Sequence, residues 1–148
     1  MTSRIINGVF GLAIRPDFSV LLSQRYDPTN PRAHLKWQIS GGGQEYGESL
    51  IQTLHRELKE ELGLSKVVIL DEEPLIRFSL WEEEEPKTHV NMFIYCIDIN
   101  DQVPTISDDE STDWKWFTLD EVSSLDTLPQ THEYVAAAIQ LYTQQKSA

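Results

Sequence analysis

Between Gly41 and Leu64 the residue choice is more constrained than anywhere else in the chain. Three consecutive glycines, Gly41-Gly42-Gly43, precede a segment from Glu48 to Leu62 with apolar residues at 50, 51, 54, 58 and 62, the spacing of one buried helical face. Gly63 then fits the C-cap that would end it. At roughly 100° per residue, Glu57, Glu60 and Glu61 fall within an arc of about 100°, beside the apolar stripe but distinct from it. Three carboxylates so placed repel one another by a few tenths of a kcal/mol per pair on an isolated helix, and they lie toward the negative end of its dipole. A hard divalent cation, Mg²⁺ or Mn²⁺, reverses that sign because it takes oxygen ligands. The glycines let a backbone carbonyl or amide approach the same place, and Arg56 is within reach of Glu48 or Glu57 as a partner that holds the carboxylates.

The charge balance points the same way. Twelve Lys and Arg against twenty-four Asp and Glu give a net charge of −12, which disfavours binding to nucleic acid polymers or to an anionic membrane. An anionic substrate therefore needs a positive partner from outside the composition, and a divalent cation supplies one. With 148 residues the chain is expected to form a single domain, 1–148. The single cysteine, Cys96, excludes an internal disulfide; it lies in an apolar run and reads as a small buried hydrophobe. No stretch reaches the ~20 apolar residues of a membrane span, so a reduced, cytoplasmic setting is the expectation.

Elsewhere the pattern predicts strands at 5–14 and 19–26, joined as a pair by the Arg15-Pro16-Asp17-Phe18 turn. Asp27 to Pro31 reads as a surface loop, and the glycine run as a loop leading into the helix. Further strands are expected at 67–70, 76–81, 90–99 and 114–117, with Glu82 to Pro86 turning the chain. A short helix at 119–125 and a terminal helix at 130–145 complete the reading, an α/β domain with three layers, α/β/α, around a mixed sheet.

Acidic helical faces are ordinarily just solvated. Here the spacing separates this one from that class, because Gly42 to Leu64 matches G-x5-E-x7-R-E-U-x-E-E-x-G-U, U being aliphatic, at every fixed position. A chance match in a chain of this length is on the order of one in a million or less. The passage resembles the Nudix box (42–64), and the chain is similar to small MutT-like Nudix hydrolases, also in Trp37 ahead of the glycines and in the Trp-x-Trp-Phe-x-x-Asp-Glu that ends at Glu121. The resemblance implies a Nudix-type α/β/α sandwich and Mg²⁺-dependent hydrolysis, with Mn²⁺ as a substitute. It implies Glu57, Glu60 and Glu61 as metal ligands with a backbone carbonyl of Gly41 or Gly42, and Arg56 and Glu48 as their partners. Glu110 stands where related chains carry a loop carboxylate, and it competes with a box glutamate for the role of general base.

Substrate contacts are expected from Arg25, toward phosphate, and from Trp37 and Trp116, toward a base, against the competing reading that the aromatics pack in the core. The four histidines, at 34, 55, 89 and 132, lack zinc-ligand spacing. The expected activity is attack of water on phosphorus in a nucleoside triphosphate or related nucleotide, an oxidised one among them. The alternatives are another nucleoside diphosphate derivative (ADP-ribose, a sugar nucleotide, a dinucleoside polyphosphate) and a nucleotide sensor that does not hydrolyse. The partner is a small nucleotide, and the protein is expected as a monomer or homodimer.

Overall fold

The computed structural model describes residues 2–146. In chain order it contains β1 (Ser3–Ala13), β2 (Val20–Arg25), β3 (Trp37–Gln38), β4 (Ser40–Gly43), α1 (Leu50–Leu62), β5 (Val68–Ile69), β6 (Leu75–Trp81), β7 (Lys87–Asp98), β8 (Ser111–Phe117), α2 (Leu119–Ser123) and α3 (Thr131–Lys146). One sheet runs β4-β1-β7-β5, with β6 also paired to β7, and a second runs β3-β2-β8. The first sheet is mixed: β1 and β7 are parallel from Ser3–Lys87 to Ala13–Ile97, while β4, β5 and β6 pair antiparallel.

Strand alternation sorts the core into two layers. Val9, Ala13, Tyr95 and Ile97 point to one side and pack with Leu54, Leu58 and Leu62 of α1. Their neighbours Leu12, Ile94 and Cys96 point to the other side and meet Tyr134, Val135 and Ala138 of α3. A period of two along parallel β1 and β7 thus places one helix on each face, the expected α/β/α arrangement. Cys96 is buried, with its thiol against the Ala138 carbonyl at 3.5 Å, and burial pushes its pKa up to about 11.

The expected helix starts at Leu50 rather than 48. Ser49 is the N-cap: its hydroxyl accepts from the Gln52 amide at 3.1 Å while the Gln52 side chain accepts from the Ser49 amide at 2.8 Å. Glu48 is left just ahead of the first turn. At the other end Gly63 takes φ 65°, the left-handed cap that a glycine adopts without strain.

Two expectations are corrected. The strands at 5–14 and 19–26 form, but they are not partners: beyond a single bridge between Ile14 and Val20 they diverge into different sheets. Turn chemistry reveals that the chain reverses, not which neighbour each strand then chooses. The glycine run is also not a loop, since Gly41, Gly42 and Gly43 pair with Phe10, Val9 and Gly8 as edge strand β4. Glycine has no side chain to signal a strand, so sequence pattern misses it.

Candidate active site

The polar centre is organised by Arg56, on the second turn of α1. Its Nε and Nη2 donate to the two oxygens of Glu48 at 2.6 and 2.9 Å, a forked pair that draws Glu48 down to about 2. Nη2 also donates to the Gly43 carbonyl at 3.0 Å, and Nη1 reaches Glu57 at 2.8 Å and Glu60 at 3.3 Å. Arg56 therefore reaches both of the glutamates that sequence reasoning offered it. Through the Gly43 carbonyl it also ties the helix to β4.

Glu57 leans over β4. A Cβ built on Gly42 would lie 2.5 Å from its carboxylate, so any side chain there would displace the end of Glu57. Burial raises the pKa of Glu57, Arg56 opposes that, and the nearby charges of Glu110 and Glu60 raise it further. The 107–110 loop thus overhangs the helix, held by the Ser107 hydroxyl on the Glu60 carbonyl and by the Tyr26 amide donating to the Glu110 carbonyl at 2.8 Å.

Glu61 behaves differently. The helical arc placed it with Glu57 and Glu60, but it is 1% exposed and turned into the interior. Its Oε1 accepts from the hydroxyls of Ser23 (3.1 Å) and Ser111 (2.7 Å), and its Oε2 from the Gly41 amide at 3.2 Å. Burial lifts its pKa to about 7 despite these donors, with Asp108 adding to the rise. Ser23, Ser40 and Ser111 were missed by sequence reasoning, because serine within a strand carries no signature of what it faces.

The carboxylates consequently do not stand as one preformed cage. Among the described residues no three Asp, Glu, His or Cys side chains are grouped to hold an ion. Arg56 occupies the position between Glu57 and Glu60, and Glu61 is drawn inward onto Ser23, Ser111 and the Gly41 amide. The donor chemistry nonetheless fits a hard cation. Every candidate ligand is an oxygen, and the buried Glu61 is met by neutral donors alone.

A cleft of about 1650 Å³ opens beside this centre, lined among others by Arg25, Tyr26, Gly41, Gly43, Glu61 and Glu110 on one side and by Arg77, Trp81 and Tyr134 on the other. Of the expected substrate contacts, Arg25 lines it, although its guanidinium is engaged by Asp27 at 3.2 Å. Trp37 and Trp116 are not among the lining residues. Trp37 packs edge-on against Phe117 with centroids 5.0 Å apart, and Trp116 is covered by the Arg15 guanidinium 3.7 Å from its ring. Both rings thus take part in packing, and both remain half-buried. Phe10, Tyr26, Phe78, Trp81 and Tyr134 are the aromatics that reach the cleft. No helix among the described residues is long and apolar enough to cross a membrane.

Comparison with known proteins agrees with this geometry. Nucleoside triphosphatase NudI of Salmonella paratyphi B is 28% identical over 108 residues, 68% of this chain and 74% of its own length. The crystal structure of a MutT Nudix hydrolase from Burkholderia pseudomallei superposes with a TM-score of 0.72 at 20% identity, covering 90% of this chain and 97% of that one. A C. elegans Ap4A hydrolase superposes with a TM-score of 0.65 at 18% identity, covering 97% of each chain. The model of the NUDIX domain matches residues 6–139, and with an unbroken box running from β4 through α1, the chain belongs to the Nudix family of pyrophosphohydrolases.

Proposed function

We propose that the protein hydrolyses a nucleoside triphosphate or a related nucleotide, with Mg²⁺ or Mn²⁺, by attack of water on phosphorus. The observation that carries this reading is Glu61, a fully buried carboxylate with neutral donors around it, beside Glu57 and a cleft wide enough for a nucleotide. Glu57, Glu60 and Glu61, with a carbonyl of Gly41 or Gly42, would hold the cation, once Glu57 and Glu60 turn from Arg56. The bound ion supplies neutralisation of the diphosphate and a more acidic water. Arg56 keeps the carboxylates together through Glu48 and the Gly43 carbonyl. Arg25, on the cleft wall, contacts phosphate, and Glu110, exposed on the loop above Glu57, takes the proton from water. A cytoplasmic setting belongs to the same reading and is supported by the unpaired thiol of Cys96.

The triphosphate assignment is supported by the similarity to NudI over 68% of the chain. A second reading, a nucleoside diphosphate joined to another bulky group, is favoured by the cleft volume of about 1650 Å³, above the usual range for small-molecule sites. A panel of nucleoside triphosphates, ADP-ribose, sugar nucleotides and dinucleoside polyphosphates, incubated with Mg²⁺ and assayed for phosphate and pyrophosphate release, separates them. Fastest turnover on a triphosphate is the expected result. Saturable binding without turnover on any member would replace the enzyme by a sensor.

A further inference from the structure

The environment of Glu61 fixes more than its burial. A carboxylate offers two lone pairs on each oxygen. On Oε1 both are used, by the Ser23 hydroxyl at 3.1 Å and the Ser111 hydroxyl at 2.7 Å. On Oε2 one is used, by the Gly41 amide at 3.2 Å. The Ser40 hydroxyl donates to Ser23 Oγ at 2.8 Å, which leaves Ser23 to send its own hydrogen to Glu61. Ser23, Ser40 and Ser111 are 0%, 1% and 4% exposed, so water does not compete for these bonds. The three come from β2, β4 and β8, strands of both sheets, and they meet a residue of α1.

We propose that Ser23, Ser40 and Ser111 are positioning residues that make Glu61 a one-armed metal ligand, presenting a single Oε2 lone pair to the cation. This rests on the reading of Glu61 as a ligand. A serine serving only to satisfy a buried carboxylate would influence the stability of the metal-free protein. A clamp that aims the carboxylate also sets the affinity for the ion, because loss of a donor frees Oε1 and lets the group rotate. Partners of this kind typically account for 10- to 100-fold in metal affinity.

The test titrates the full chain with Mn²⁺ in the absence of substrate, reading free Mn²⁺ by electron paramagnetic resonance. Ser23→Ala and Ser111→Ala are compared with the parent, with Ser111→Thr as the conservative variant and circular dichroism as the check that each is folded. The expected result is an affinity weakened by about 10- to 100-fold in each alanine variant, restored in Ser111→Thr, which keeps the hydroxyl. In a Glu61→Gln background, Ser111→Ala should weaken binding no further. Alanine variants that bind Mn²⁺ within twofold of the parent, while Glu61→Gln has lost it, would overturn the clamp and leave the ligand reading intact. Parental affinity in Glu61→Gln would overturn the ligand reading itself, and the clamp with it.

Discussion

Replacing Glu61 by glutamine removes a proton site whose folded and unfolded constants lie far apart, and the effect on stability has a definite sign. Burial raises this carboxyl from an ordinary 4.5 to about 7. At about 1.4 kcal/mol per tenfold change in a protonation constant, that displacement corresponds to roughly 3 kcal/mol. Below pH 4.5 the group is neutral in both states and its contribution to stability is fully present. As pH rises the unfolded chain ionises first, and the contribution is lost until the folded carboxyl has also ionised above about pH 7. The metal-free parent should therefore lose stability between about pH 4.5 and 7, by up to roughly 3 kcal/mol more than Glu61→Gln does. Glutamine keeps the geometry: its carbonyl can accept from Gly41, and the hydroxyls of Ser23 and Ser111 can turn to accept from its amide. Glu48, held near 2 by Arg56, stays ionised across this window and does not obscure the comparison. Urea unfolding in EDTA at four pH values supplies the measurement. Adding Mg²⁺ should shrink the parent's deficit at pH 8, where the cation competes with little proton, and leave the variant unchanged. Parallel stability curves for parent and variant in EDTA would refute the reasoning.

Neighbouring glycines give a second contrast. Gly42→Ala pushes a methyl into the Glu57 carboxylate and should lower turnover at least about tenfold, while Gly43→Ala, which meets nothing within 4 Å, should leave it near normal. Arg56→Lys keeps the charge but loses the fork that spans Glu48, Glu57, Glu60 and the Gly43 carbonyl. A lower midpoint of thermal unfolding and a fall in kcat are expected, read by calorimetry and the release assay. Glu110→Gln should reduce kcat by about a hundredfold with KM little changed, as loss of a proton acceptor does, and unchanged kcat would return that role to a box glutamate.

The helix and its C-cap were legible because periodicity and Gly63 act locally, whereas the Ser49 cap went unread and the start was placed two residues early. Most strands were legible for the same reason. Partnership was not: whether β2 follows β1 into one sheet depends on contacts with Trp116 and Phe117, nearly a hundred residues further on. Similar logic separates Glu57 from Glu61. The arc of a helix tells where each side chain departs, but the two hydroxyls and the Gly41 amide that hold Glu61 inward come from β2, β8 and β4, and Arg56, expected to assist the carboxylates, also keeps two of them occupied. For the two tryptophans composition supplies an aromatic face without saying what already lies against it, so base contact and core packing stood side by side in the sequence.

The chain passes between its two sheets at the Ile14–Val20 bridge and again at Ile39, and all three of these residues are hydrocarbon in the same buried layer. Those crossings work like the spine of a half-open book whose pages bound the cleft. The spine surfaces in the cleft at Ile39, so plain hydrocarbon forms part of the wall that a ligand meets.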